Sequence, residues 1–203
     1  MELGNISDLV SAGCNITMAG AALYAAWNAR DWFSQRSHSK GFDKAENILA
    51  SIDEHTLLAK QSVNELQSSF SYIEEIFKSL SVPPKDTSSI YKDTESKHRN
   101  LKDQIHNLIQ ELFRLERWAL CLKNPGELLV VTNHLTDLHT SAAHFYFYCD
   151  SCLYQLHYMG WDEFEDHFKV LQSNYEDYLV SLACLEREYD IFKVKRFNHF
   201  FKI

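Results

Sequence analysis

Apolar residues recur along most of the chain at alternating spacings of four and three, which is the repeat of one face of an α-helix. Four such stretches, here called seams, follow one another. The first comprises Ala45, Leu49, Ile52, Thr56, Ala59, Val63, Leu66, Phe70, Ile73, Phe77 and Leu80. The second comprises Leu101, Ile105, Leu108, Leu112, Leu115, Ala119 and Leu122. The third comprises Leu128, Val131, Leu135, Leu138, Ala142, Phe145, Cys149, Cys152, Leu156 and Met159. The fourth comprises Trp161, Phe164, Phe168, Leu171, Tyr175, Tyr178, Leu182, Leu185, Tyr189 and Phe192.

The breaks between the seams are short. "SVPPKDTSS" follows the first seam and "NPG" the second, and neither can continue a helical hydrogen-bond ladder because of proline, while Gly160 closes the third. Short connections make neighbouring helices antiparallel. The sequence therefore predicts an all-α fold in which residues 41–192 form an antiparallel bundle of about four long amphipathic helices. One long coiled coil is the alternative, and the first seam could also extend the preceding segment as a stalk.

The segment before the first seam has a different character, because residues 9–29 carry no charged side chain. As a helix this run would reach about 30 Å, close to the hydrocarbon thickness of a bilayer. A cleaved signal peptide would need basic residues first, and "MELGNISD" is acidic instead. We expect residues 1–40 to form a retained transmembrane helix with a basic, aromatic junction. The alternative is an alanine-rich helix buried in a soluble core.

Particular residues carry the prediction of a membrane span. Those expected to face lipid or a neighbouring anchor are Leu9, Val10, Gly13, Ile16, Thr17, Gly20, Leu23, Tyr24 and Trp27. Small residues among them would let two anchors approach closely and self-associate. The cations that follow, and that are expected at the membrane surface, are Arg30, Arg36 and Lys40. Positive charge stays in the cytoplasm, so the N-terminus is expected outside and the bundle inside.

The net charge and the cysteine content of the chain bear on its binding partners and on its cellular compartment. The chain has 203 residues and a net charge of -8, which argues against direct nucleic-acid binding, since that draws affinity from basic surface. Five cysteines, an odd number scattered through apolar positions, suit a reducing compartment better than a disulfide framework. The bundle is therefore expected in the cytoplasm.

"CDSC", with Cys149 and Cys152 flanked by His144 and His157, is the strongest candidate for metal or redox chemistry. A structural zinc site usually takes four ligands from two clusters, and no second cysteine pair is present in the sequence. Both cysteines also fall on the third seam, where a free thiol packs as a small apolar group. Core packing is the favoured interpretation.

The histidines give no better candidate. His134, His139 and His144 are five residues apart, so they do not converge on one helix face. Glu95 and His98 have the spacing used in di-iron bundles, but no second such pair accompanies them. We therefore expect no catalytic, cofactor or metal site, and no enzymatic activity.

The last residues, 193–203, interleave cations with aromatic rings. Lys193, Lys195, Arg196 and Lys202 are candidates for contact with the anionic inner leaflet of a membrane. In the alternative, the phenylalanines of this tail cap the bundle.

The stretch "ALYAAWNARDWFSQRSHSK" followed by an amphipathic bundle resembles small bacterial membrane proteins, in particular the transmembrane effectors of retron anti-phage defence systems. The resemblance implies a toxic effector that is restrained by a reverse transcriptase ribonucleoprotein and, once released, damages the inner membrane. It implies no catalytic residues and no cofactor. The expected partners are then the lipid bilayer and a protein, either that ribonucleoprotein or a second copy of the chain.

A second hypothesis is a helical adaptor, soluble or membrane-tethered. It would bind a protein partner through the third and fourth helices, which carry aromatic residues on several faces, as in "HFYFYCDSCLYQLHYMGW". This hypothesis predicts that residues 42–203 alone keep full function. A metal-dependent enzyme using residues 149–157 is the third and least favoured reading of the sequence.

Overall fold

A computed structural model of the protein describes residues 6–84, 88–118 and 120–202, except for the side chains of residues 6–10, 31 and 33–38. The helices and strands are α1 (Ile6–Ser79), α2 (Ser88–Arg114), a 3₁₀ helix (Leu115–Trp118), β1 (Cys121–Leu122), α3 (Pro125–Tyr158), α4 (Trp161–Phe192), α5 (Phe197–Phe200) and β2 (Phe201–Lys202). The prediction of an all-α fold with a helical bundle is confirmed.

The helices α1 and α4 pack antiparallel through stacked aromatic rings. Phe70 contacts Tyr175 with ring centroids 4.3 Å apart. Phe77, two turns later in α1, contacts Phe164, which is earlier in α4, at 6.0 Å. Such pairs contribute packing energy beyond the burial of their area, and their opposite order fixes the direction of the two helices.

The helices α2 and α3 are antiparallel for the same reason. Tyr91 at the start of α2 contacts Tyr146 in α3, and His98, two turns later, contacts His139, two turns earlier. Helix α3 also runs against α4, because Ser141 contacts Ser181 while Glu127, earlier in α3, pairs with Lys195 beyond the end of α4. Each of the four long helices therefore runs against the next one along the chain. This is the up-and-down arrangement that short connections favour.

The core closely follows the predicted seams. Leu80 and Met159 are exceptions, since both are exposed, and Ala119 lies outside the described residues. A helix between two neighbours buries a wider face than one seam. The additional buried side chains are Ile48, His55 and Ile76 in α1, Tyr91 and His98 in α2, and Thr132, His139, Ala143, Tyr146 and Leu153 in α3.

Helix α1 is continuous over 74 residues and passes from the predicted anchor into the first seam without a break. This arrangement corresponds to the stalk that the sequence left open. Among the side chains of α1 that the structure describes, the first buried positions are Gly41 and Ala45, so α1 enters the bundle at that level. Residues before Gly41 extend beyond the bundle.

The end of the bundle at which α1 enters is closed by the C-terminal residues. β2 pairs antiparallel with β1, with Leu122 opposite Phe201. The backbone N–H of Lys123 donates to the carbonyl of Phe200 at 2.8 Å, and the amide of Asn124 donates to the carbonyl of His199 at 2.9 Å. These bonds fix the tail to the connection between α2 and α3.

Candidate membrane-binding site

The extension of α1 beyond the bundle is exposed along its whole described length. Every side chain from residue 11 to residue 30 is exposed, including large apolar ones. Ile16 is 74% exposed, and Leu23 and Trp27 are each 73% exposed. This segment therefore does not belong to the core of the chain, as the buried-helix alternative would require.

Within the part of the chain that the structure describes, no helix combines the length and apolarity that crossing a bilayer requires. Leu9 and Val10 lie outside the residues whose side chains are described.

Small residues make one face of the extension open to close approach. A Cβ added at Gly13 or at Gly20 would meet no atom within 4 Å. Between them, the Thr17 hydroxyl donates to the Gly13 carbonyl at 2.8 Å. This bond leaves Thr17 less polar than a free hydroxyl would be.

The junction between the extension and the bundle carries cations. Arg30 and Lys40 are exposed, whereas the Arg36 side chain lies outside the described residues. The Nζ atoms of Lys40 and Lys44 lie 5.6 and 5.8 Å from the centroid of the Trp118 ring, within the range of cation–π attraction.

A glycine lets α1 and the 3₁₀ helix meet at this level. A Cβ added at Gly41 would stand 2.8 Å from the backbone carbonyl oxygen of Trp118, too close for any side chain. Gly41 thus allows the connection between α2 and α3 to lie directly on α1.

The rings of the C-terminal tail point into the bundle. Phe200 and Phe201 are each 1% exposed, and Phe197 contacts Phe42 of α1 with ring centroids 4.4 Å apart. This placement agrees with the alternative in which the phenylalanines cap the bundle. The role of the tail's cations at a membrane surface stays a prediction.

The tail's cations fall into two groups. Lys193 pairs with Asp190 at 2.6 Å between Nζ and Oδ1, and Lys195 pairs with Glu127. Hydrogen bonds from Lys195 and then from His199, whose Nε2 lies 2.8 Å from Oε2, hold the pKa of Glu127 below its usual range. Arg196 and Lys202, in contrast, are exposed and form no ion pair with an acid of the described residues.

Three segments meet at this end of the bundle and make it basic. Residues 40–46, 115–123 and 193–202 together carry eight Lys and Arg but only three Asp and Glu, in a chain whose net charge is -8. We call these segments the cationic end. Among the described residues, its exposed cations that form no ion pair with an acid are Lys40, Lys44, Arg117, Lys123, Arg196 and Lys202. The sequence did not single out Arg117 and Lys123, because no periodicity places a connection next to the tail.

The cysteines of "CDSC" are part of the core. Cys149 and Cys152 are free and fully buried, as the core-packing interpretation expects. Burial raises the pKa of both thiols, that of Cys152 to about 12. His144 is exposed and His157 is half-buried. Nowhere in the described ranges do three His, Cys, Asp or Glu side chains converge as a metal ion would need.

A buried histidine pair is the polar feature that the sequence missed. Nδ1 of His98 in α2 lies 3.0 Å from Nδ1 of His139 in α3, and the ring centroids are 5.3 Å apart. The two nitrogens therefore lie nearly on the line between the rings, so one must donate and the other accept a single proton. Burial lowers the pKa of His98 to about 4 and that of His139 to about 3, with smaller contributions from nearby positive groups.

The pair borders a small cavity of about 110 Å³ between α1 and α2, which is also lined by Ser62, Glu65 and Lys97. Nε2 of His139 is buried without a hydrogen-bond partner. A signal for this pair did exist: His139 stands four residues after Leu135 and three before Ala142, so the third seam already turned it inward.

No family model, characterised protein or solved structure matches the chain.

Proposed function

We propose that the chain is a non-enzymatic single-pass protein of the bacterial inner membrane, with its N-terminus outside and its bundle in the cytoplasm. The observation that carries this proposal is the extension of α1, where residues 11–30 are exposed and residues 9–29 carry no charge. Lipid is the solvent that favours such a surface.

The energetic argument rests on the large apolar side chains of the extension. Ile16, Leu23 and Trp27 are nearly three-quarters exposed to water. Moving one such side chain from water into an apolar medium contributes about 1.5–3 kcal/mol. The bond from Thr17 to the Gly13 carbonyl lowers the cost of placing that hydroxyl in lipid. Asn15 opposes insertion, because its amide would lose water.

The orientation follows from charge. Arg30, Lys40 and the cationic end all lie on the bundle side of the uncharged run, whereas Glu2 and Asp8 precede it. Cations near the end of a span are retained in the cytoplasm. Tyr24 and Trp27, at the same end, suit the boundary between lipid and water.

The proposed activity is that of the toxic effector of a retron-type defence system, in which the assembled anchors perturb the inner membrane. Its support is the exposed small-residue face at Gly13 and Gly20, which lets helices pack closely in lipid. The protein partner would be a reverse transcriptase ribonucleoprotein that restrains the effector, or a second copy of the chain with which it assembles.

Induced expression in bacteria tests this activity with a dye that enters only cells whose inner membrane is damaged. Ile16→Arg with Leu23→Arg should abolish dye entry, because each arginine at the centre of a span costs about 2.5–3.5 kcal/mol. A matched control, Ile90→Arg with Val180→Arg, alters two exposed apolar residues of the bundle and should leave dye entry unchanged. Equal dye entry from both variants would refute the role of the anchor.

A second candidate is the adaptor, and an exposed aromatic stripe on α3 favours it. Phe147, Tyr154 and Tyr158 are 47%, 50% and 60% exposed, and their spacing of seven and four places them on one face. If the stripe binds the partner, Tyr154→Ser with Tyr158→Ser should abolish any cellular effect while membrane association persists. Under this candidate, residues 42–203 alone should also keep the full effect.

A further inference from the structure

We propose that the cationic end binds anionic phospholipid headgroups and thereby holds the bundle down on the inner leaflet. The inference rests on the proposed function, because the anchor is what brings this end of the bundle near lipid. It adds the orientation of the bundle on the membrane, and it uses residues from the connection between α2 and α3 that lie outside both the anchor and the tail.

Contacts between the three segments make the cationic end one surface. Gly41 of α1 meets the Trp118 carbonyl, and Phe42 of α1 contacts Phe197 of α5. β1 pairs with β2, which places Leu122 opposite Phe201. Cations far apart in the sequence therefore share one end of the bundle, the end at which α1 departs.

The charge at this end opposes that of the chain as a whole. Together with Asp190 and Glu127, which pair with Lys193 and Lys195, its acids Asp43, Glu46 and Glu116 make five, set against eight Lys and Arg. Lys193 and Lys195 already have acidic partners, so the six exposed cations named above supply the attraction. A cation at an anionic leaflet shifts binding about fivefold. Although the protein as a whole is acidic, this end of the bundle therefore has the charge that complements an anionic surface.

Apolar side chains lie beside these cations. Ile191 and Val194 are 50% and 73% exposed, and Val194 stands two residues before the exposed Arg196. A surface with cations around apolar side chains suits the interface of a membrane, where the apolar groups enter the acyl boundary. This observation is independent of the charge count and points to lipid rather than to a soluble anion.

The length of α1 between the membrane and the bundle determines how the bundle is oriented on the bilayer. From Arg30 to Lys40 the helix rises about 15 Å. The headgroup layer takes up about 5–7 Å of that rise, so a bundle standing upright would hold its cations about 8–10 Å beyond the headgroups, roughly one Debye length at physiological salt. Attraction at that distance is weak at physiological salt and grows as the bundle inclines. The bundle should therefore lie against an anionic bilayer and stand away from a neutral one.

Fluorescence energy transfer between the protein and labelled vesicle lipids tests how close the bundle lies to the membrane. Full-length protein carrying Cys14→Ser and Cys184→Ser is labelled with a donor dye at Cys121, which is exposed at the cationic end, and the acceptor dye is carried on lipid headgroups. Vesicles of phosphatidylcholine alone are compared with vesicles containing about one-third phosphatidylglycerol, in which we expect transfer to rise about twofold or more. Raising the salt should remove the rise, because it shortens the Debye length.

Charge reversal identifies the surface responsible. The test variant carries Arg117→Glu, Lys123→Glu and Arg196→Glu. The control variant makes the same change of charge at the opposite end of the bundle with Lys78→Glu, Lys92→Glu and Lys169→Glu. We expect the rise to vanish in the test variant and to persist in the control.

The outcomes separate this inference from the function on which it rests. Carbonate-resistant protein that shows equal transfer in the two kinds of vesicle overturns the inference and leaves the anchor intact. Protein that carbonate extracts from the vesicles overturns both. A rise that high salt leaves unchanged, or that the control variant loses as fully as the test variant, also contradicts binding through the cationic end.

Discussion

The buried pair of His98 and His139 should make the stability of the bundle fall as the pH drops from 7 to 5. Both rings are almost fully inaccessible, and burial keeps both pKa values below the ordinary 6.5, at about 4 and about 3. As the pH falls, these two histidines therefore become protonated in the unfolded chain before they do so in the folded one. Their contribution to stability is fully present above pH 6.5 and is lost as the pH falls toward the lower values.

The magnitude follows from the width of that window. Because one pKa unit corresponds to about 1.4 kcal/mol, each ring loses about 2 kcal/mol between pH 7 and pH 5, and the pair loses about 4 kcal/mol. Burial also lowers the pKa of His55, which adds a loss of the same sign. Small domains are stable by only about 5–15 kcal/mol, so the change is large enough to measure.

The assay is urea unfolding of full-length protein in detergent, followed by helical circular dichroism at the two pH values. The double variant His98→Leu with His139→Leu replaces both partners, so its stability at pH 7 should change little. Its difference between pH 7 and pH 5 should be about 4 kcal/mol smaller than in the wild type. The control His144→Gln changes an exposed histidine and should keep the wild-type difference. A double variant that also keeps the wild-type difference would refute the reasoning.

Two further predictions concern packing. Gly41→Ala should lower the free energy of unfolding by about 1–3 kcal/mol, because its Cβ would stand 2.8 Å from the Trp118 carbonyl. Gly13→Ala should leave that free energy unchanged or raise it by up to about 1 kcal/mol, because its Cβ meets no atom and alanine is the better helix former. Equal midpoints in urea for the two variants would contradict this packing. Cys149 and Cys152 should react with a thiol reagent only when the bundle opens, since burial raises their pKa, and rapid modification of the native protein, read by mass spectrometry, would be inconsistent with the core described above.

The bundle could be predicted from the sequence because the buried positions of its helices recur at regular spacings. Each seam repeats for many turns, so the inward residues of α1 and α4 follow from spacing alone. Leu80 and Met159 escaped this logic, since each stands at the very end of a helix, where no neighbour remains to cover it. His139 also stands at an inward spacing of the third seam. Considered only as a candidate metal ligand, it is not predicted to be buried.

The cationic end could be predicted only in part. Its tail was visible as alternating cations and rings, but the burial of Phe200 and Phe201 depends on pairing with residues some 80 positions earlier in the chain. Arg117 and Lys123 belong to a connection that carries no repeat. Contacts of this kind arise from tertiary packing, which a helical period does not encode.

The central claim is that the extension of α1 lies in a membrane. Carbonate extraction of cell membranes, applied to the full-length protein beside a variant lacking residues 1–40, tests it most directly, because the buried core begins at Gly41 and survives the deletion. The account predicts that the full-length protein stays in the membrane pellet while the truncated protein is released as folded bundle. Full-length protein found in the carbonate supernatant would contradict it.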